Sequence, residues 1–216
     1  MDRTLEPEVM DTAEEAAAYD EMDHSAVNQA FVDRLLALGA RGRLLDLGTG
    51  PGDIPLLIVE RVADCTVVGV DLSPGMLELA QKRRASARQA ERIKFRLADA
   101  KDLDFEDASF DAVFSNTVLH HLADPRPFLR EARRVLRPRG TLLIRDLYRP
   151  SNRARVDELV RMYASTASPS GREMFRASLC AALMPSELRA LADECGLAEA
   201  RLMVDTDRHM SLQLPV

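Results

Sequence analysis

Leu44-Leu45-Asp46-Leu47-Gly48-Thr49-Gly50-Pro51-Gly52-Asp53, residues 44–53, is the stretch that decides the fold. An apolar run of strand length, RLLDL over 43–47, stops at a cluster of glycines, and residues 54–62 continue with helical character. Glycines at such a joint allow a tight turn and let a ligand come close to the main chain. Their spacing is Gly-x-Gly-x-Gly. The dinucleotide fingerprint is Gly-x-Gly-x-x-Gly, with a pyrophosphate on the helix start. Taken alone, the loop is also what any tight strand-to-helix turn looks like.

Outward from this joint the chain alternates. CTVVGVD (65–71) reads as a second strand, and Ser73-Pro74 opens a helix expected to run to about Arg88, with proline at its first position. Residues 93–99 and 109–116 read as strands three and four. Asp124-Pro125 starts a helix that ends at the Pro-Arg-Gly turn of 138–140, and 141–147 is strand five. Upstream, Phe31, Leu35, Leu36 and Leu38 recur at helical spacing and Gly39 ends that helix. Strands alternating with helices predict right-handed βαβ crossovers and a mostly parallel α/β sheet. Past Pro150 the pattern becomes helical over about 151–195, with a break near 168–171 and a restart at 185–187. Residues 198–205 and 209–214 read as an antiparallel hairpin at the sheet edge. The expected organisation is an N-terminal helical segment over 1–39 and one domain over 40–216.

Composition narrows the function classes. The 216 residues are 46% hydrophobic and 30% charged, with a net charge of −6. Residues 1–23 hold nine acids against Arg3, so the remaining chain is close to neutral. This balance argues against a nucleic-acid-coating protein. Cys65, Cys180 and Cys195 form no CxxC, and His24, His120, His121 and His209 are not at zinc-ligand spacing. No apolar run approaches the ~20 residues that span a bilayer. The start, MDRTLEPEVMD, has no apolar signal core. A reduced, cytoplasmic protein without a membrane span is expected.

Three polar residues fall at the carboxyl ends of predicted parallel strands, the edge where open α/β sheets take ligands. Asp71 ends strand two, where a carboxylate can accept both hydroxyls of a ribose; it could also serve as a helix N-terminal acid, since Ser73-Pro74 follows. Asp99 ends strand three and Asn116 ends strand four.

With these motifs in order, the chain resembles the class I S-adenosylmethionine-dependent methyltransferases, of the small-molecule type grouped with ubiquinone/menaquinone biosynthesis. LLDLGTGPG matches that family's glycine loop and VVGVDLSPGML its ribose-binding strand and helix. FRLADAKDLDF matches its adenine-side loop, FDAVFSNTVLHHLADP strand four and its exit, and RVLRPRGTLLIRDL the turn into strand five. The resemblance covers about residues 25–147. It implies a seven-stranded Rossmann-like sheet of order 3-2-1-4-5-7-6, strand seven antiparallel, with helices on both faces. It also implies S-adenosylmethionine as cofactor and S-adenosylhomocysteine as product. Asp46, Gly48, Thr49, Gly50 and Gly52 would border the methionine and ribose, and Asp71 would hold the ribose. Leu72 and Met76 would flank the adenine, Asp99 would accept its amino group beside Ala100, and Asn116 would contact the methionine end. Arg139 departs from the family's usual glycine at that turn.

Methyl transfer from a sulfonium is an in-line displacement in which the protein aligns a nucleophile and excludes water. A base is needed when the nucleophile must shed a proton. His120 and His121, just after strand four, are the candidates; of the two, His121 is the one set to face the methyl group. Both could instead pack or cap the next helix. Asn116 and Asp146 could ligate a metal, but no third carboxylate is evident near them, so no metal is expected. The N-terminal residues Tyr19, Met22, His24 and Phe31 belong, by the resemblance, to a lid over the cofactor. Substrate contacts are expected from Tyr19 and His24, from Tyr148 and Arg149 after strand five, and from the helical insertion. The expected acceptor is a small, partly apolar molecule. The arginines of 126–139 lack an aromatic platform, which makes nucleic acid an unlikely partner. RNA or protein methylation, and a non-catalytic S-adenosylmethionine-binding regulator, are the competing readings.

Overall fold

The computed structural model describes residues 1–6 and 25–215. Seven strands form one sheet in the order β3-β2-β1-β4-β5-β7-β6. They are β1 Arg43–Leu47, β2 Thr66–Asp71, β3 Ile93–Leu97, β4 Phe110–Asn116, β5 Leu136–Leu147, β6 Arg201–Val204 and β7 His209–Leu214. The first five pair in parallel, while β7 runs antiparallel to both β5 and β6. This is the expected Rossmann-like architecture, hairpin included.

The central strands are apolar on both faces because helices cover both. On one face lie α1 (Ser25–Ala37), α2 (Asp53–Arg61) and α3 (Pro74–Ala85), whose Phe31, Leu35, Ile58 and Ala80 pack with Leu44, Val67 and Phe114. On the other, α4 (Arg126–Val135) and α7 (Pro185–Glu194) bury Phe128, Leu129, Leu188 and Leu191 against Leu45, Val113 and Leu142. A third, smaller cluster joins α5 (Arg153–Tyr163) and α6 (Pro169–Ala181) beside Leu147. Phe31 is fully buried and its ring sits 6.0 Å from that of Phe114, so α1 belongs to the core packing.

Local chemistry sets the boundaries. Ser73 caps α3 by accepting from Met76 N at 3.3 Å, with Pro74 at the first turn. That helix ends at Ala85, three residues before the expected Arg88. Ser168 caps α6 by accepting from Gly171 N at 3.1 Å, which accounts for the break in the helical insertion. Strand β5 starts earlier than expected, at Leu136, which pairs with Phe110 ahead of an irregularity between Phe110 and Ala112. There Arg139 adopts a φ of 64°, a left-handed conformation that costs an L-residue with a side chain.

Residues 1–6 run as a strap along the carboxyl edge of the sheet. Thr4 N donates to Cys180 O at 3.1 Å, and the Arg3 guanidinium donates to Leu122 O at 2.9 Å and His120 O at 3.3 Å. Among the described residues no helix is long and apolar enough to cross a membrane.

Candidate active site

The glycine loop folds back over β2. Gly48 N and Thr49 N both donate to Val70 O at 2.9 Å, and Gly50 N donates to Asp71 Oδ2 at 2.7 Å. Positive-φ glycines make this path possible, and Gly48 and Gly50 differ in what surrounds them. At Gly48 (φ 74°) a Cβ would fall 2.4 Å from Val118 Cγ2, so the segment after β4 closes directly on the loop. At Gly50 (φ 53°) a Cβ would meet nothing within 4 Å, so that side of the loop faces open space.

That space is an open cleft at the carboxyl edge of the sheet. Eight of the residues singled out for the cofactor line it: Gly48, Gly50, Asp71, Leu72, Met76, Asp99, Ala100 and Asn116. They come from the ends of β1 to β4, separated in sequence and gathered by the topology. Asp46, Thr49 and Gly52 lie behind the loop. Asp46, 1% exposed, accepts a hydrogen bond from Thr49 Oγ1 at 2.8 Å, and burial pushes its carboxyl up to about 7 against that bond. A Cβ on Gly52 would sit 2.6 Å from Phe95 Cζ, so this glycine lets α2 approach β3.

Asp71 spans the joint between loop and helix. Besides Gly50 N, it accepts from Ser73 N at 2.9 Å. Burial raises its pKa, opposed by the Ser73 and Gly50 amides. Each oxygen keeps acceptor capacity for a diol. Asp99 accepts from Lys101 N at 2.8 Å. Asn116 is oriented from behind: Arg145 Nε donates to its Oδ1 at 3.1 Å, and the guanidinium carbon lies 5.4 Å over the Phe31 ring. Past Asn116, Thr117 takes a φ of 59°, which turns the chain sharply and leads to His121 on the cleft wall, with His120 buried beside it.

The two histidines have different surroundings. His120, 4% exposed, holds Asp146 of β5 twice, through its backbone N at 3.1 Å and its Nδ1 at 2.7 Å. Burial alone would push Asp146 up and His120 down. Their mutual charge and hydrogen bond win, holding Asp146 low and His120 high. His121 lines the cleft. Behind both rings stands Glu6 of the strap, with Oε1 3.2 Å from His121 Nδ1 and 3.4 Å from His120 Nε2. Glu6 was missed by sequence reasoning, since it lies more than a hundred positions from the pair inside a run of other acids.

Tyr148 and Arg149 turn away from the cleft. Tyr148 Oη donates to Asp207 O at 2.9 Å. Arg149 is 5% exposed and its guanidinium is occupied by Met1 O, Ala182 O and Glu187. It braces the strap against α7 and is not among the residues that line the cleft. Tyr19, Met22 and His24 fall outside the described residues.

The sheet order, with the loop and its acids at one edge, is that of the class I methyltransferase fold. Residues 45–144 match the family model described as a methyltransferase domain. The chain is 40% identical over 119 residues to 27-O-demethylrifamycin SV methyltransferase of Amycolatopsis mediterranei, covering 54% of this chain and 43% of that one. It is 44% identical over 102 residues to demethylmenaquinone methyltransferase of Thermus thermophilus, covering 47% and 46%. The chain thus spans about half the length of the relatives it matches. Among solved structures, phosphoethanolamine N-methyltransferase 2 of Haemonchus contortus, determined with S-adenosyl-L-methionine, superposes with a TM-score of 0.70 at 24% identity, covering 90% of this chain and 44% of that one. That likeness is one of fold.

Proposed function

We propose that the protein transfers the methyl group of S-adenosylmethionine to a small-molecule acceptor. The observation that carries this reading is the cleft itself, in which the glycine loop, Asp71 and Asp99 face the same space as His121. Asp71 holds the ribose hydroxyls, Leu72 and Met76 flank the adenine, Asp99 and Ala100 meet its edge, and Asn116 meets the methionine end. Asp46 and Thr49 support the loop from behind. The acceptor enters on the His121 side, where its nucleophile loses a proton to the histidine cluster as the methyl group arrives. The names of the rifamycin and menaquinone enzymes point to small acceptors. Against RNA, three arginines of the 126–139 stretch are committed to acids: Arg126 to Asp124 and Glu194, Arg134 to Glu131 and Asp107, and Arg137 to Asp111. The three free cysteines suit a reducing compartment, and we assign the protein to the cytoplasm.

The test is release of S-adenosylhomocysteine from S-adenosylmethionine in a metabolite extract, before and after nuclease or protease treatment. Turnover that survives both treatments supports a small acceptor; loss on nuclease treatment moves the assignment to RNA. His121→Ala should lower kcat by at least about a hundredfold, with cofactor affinity unchanged.

A further inference from the structure

We infer that Glu6, His120 and His121 form a binding site for one divalent transition-metal ion of the zinc type. The inference deepens the proposed function by naming what acts on the acceptor's proton. It departs from the metal-free expectation drawn from sequence, because the third carboxylate comes from the strap.

Geometry carries it. Glu6 Oε1, one nitrogen of His120 and one of His121 all lie within 4.8 Å of one another, with none of the three side chains on the open surface. The two distances from the carboxylate oxygen, 3.2 and 3.4 Å, are informative. A charge-assisted hydrogen bond would draw such an oxygen to about 2.7–2.9 Å of a nitrogen. Two ligand atoms held about 2.0–2.1 Å from a tetrahedral metal instead stand about 3.3 Å apart. Glu6 Oε1 is buried and makes no hydrogen bond; its partner oxygen accepts from Ser178 Oγ at 3.3 Å, which aims the carboxylate.

The surroundings match a ligating histidine. His120 Nδ1 is bonded to Asp146 Oδ1 at 2.7 Å, and Leu147 N fixes that same oxygen at 2.6 Å. A proton on Nδ1 leaves the Nε2 lone pair directed at the cluster centre, the carboxylate–histidine–metal arrangement that sets tautomer and ring orientation. Two imidazoles and one carboxylate suit zinc and its neighbours; magnesium prefers an all-oxygen shell. Three protein ligands leave a fourth position for water or a substrate oxygen, as at catalytic zinc sites. His121 is both a ligand and a wall of the cleft. An acceptor hydroxyl binding there would give its proton to solvent water in the open cleft, since the metal would lower its pKa, and the resulting oxyanion would take the methyl group as the sulfonium leaves as a thioether; His121 would serve as ligand in place of free base.

The experiment needs no acceptor. Chelator-treated protein is titrated with Zn²⁺ by calorimetry, and with Co²⁺ while ligand-field absorption is followed in the visible, with Mg²⁺ as control. One equivalent of Zn²⁺ with tetrahedral-type cobalt bands is expected, and Mg²⁺ should give neither. Glu6→Gln, on the strap and outside the sheet, should abolish the cobalt bands, and His121→Asn should do the same. Asp146→Asn should weaken Zn²⁺ about 10–100-fold. The inference is overturned if no equivalent binds, if Mg²⁺ binds as well as Zn²⁺, or if Glu6→Gln leaves the cobalt spectrum unchanged. Full turnover in chelator, with His121→Ala inactive, would overturn the metal and leave methyl transfer standing. Stoichiometric Zn²⁺ binding without S-adenosylhomocysteine release in any extract would do the reverse.

Discussion

Asp46→Asn should make the unliganded protein more stable at alkaline pH than at acidic pH relative to the parent chain. Asp46 lies sealed under the glycine loop, with Thr49 Oγ1 as its side-chain donor, and burial lifts its carboxyl to about 7. In the unfolded chain that carboxyl titrates near 3.9. Between about pH 4 and pH 7 the folded protein therefore keeps a proton that the unfolded chain has released. Falling pH stabilises the fold across that window and rising pH destabilises it, with no further change above about 7. Roughly three pH units at about 1.36 kcal/mol each give a cost on the order of 4 kcal/mol at pH 8. Asparagine keeps an acceptor for Thr49 without the charge. Urea unfolding of both proteins from pH 4.5 to 8.5 would yield the difference in stability at each pH. That difference should move in favour of the variant by about 1.4 kcal/mol per unit and level off near pH 7. A difference that stays flat from pH 5 to 8 would refute the claim that Asp46 is held protonated.

Asp71→Ala should weaken S-adenosylhomocysteine binding at least about tenfold in calorimetry, since hydrogen bonds to a charged group contribute about 1.5–3 kcal/mol each; unchanged affinity in folded protein would remove its ribose role. Arg139→Gly should raise stability by about 1 kcal/mol, because φ of 64° suits glycine, and chemical denaturation reads this directly. Gly48→Ala should be the more damaging loop change for stability, since its Cβ meets Val118, whereas Gly50→Ala should act mainly on cofactor affinity. Thermal melts with and without S-adenosylhomocysteine separate the two effects.

The sheet could be read from the chain because apolar runs stop at clear breaks: β1 at Gly48, β2 at Asp71 before Ser73-Pro74, and β4 at Asn116 before Thr117, which turns left-handed. The proposed cofactor face follows from that, since the carboxyl ends of the parallel strands β1 to β5 lie on one edge. The acceptor side was less legible. The chemistry proposed there depends on Glu6 meeting residues 120 and 121, and on Asp146 of β5 facing His120 in the turn after β4. Contacts between distant segments leave no period or spacing in a single sequence. Arg149 illustrates the same point: its partners Met1 and Glu187 lie 148 and 38 positions away, so neither contact could be read from the sequence.

Arg145 and Asp146 are adjacent on β5, and alternation along a strand sends them to opposite faces of the sheet. Arg145 reaches Asn116 on the cofactor side, while Asp146 reaches His120 on the acceptor side. Two consecutive residues thus brace two separate halves of the proposed site. On the proposed function, drift at position 146 and its partners would alter the acceptor half while the half around Asn116 stays insulated. A one-residue insertion in this strand would exchange the two faces and disable both halves at once.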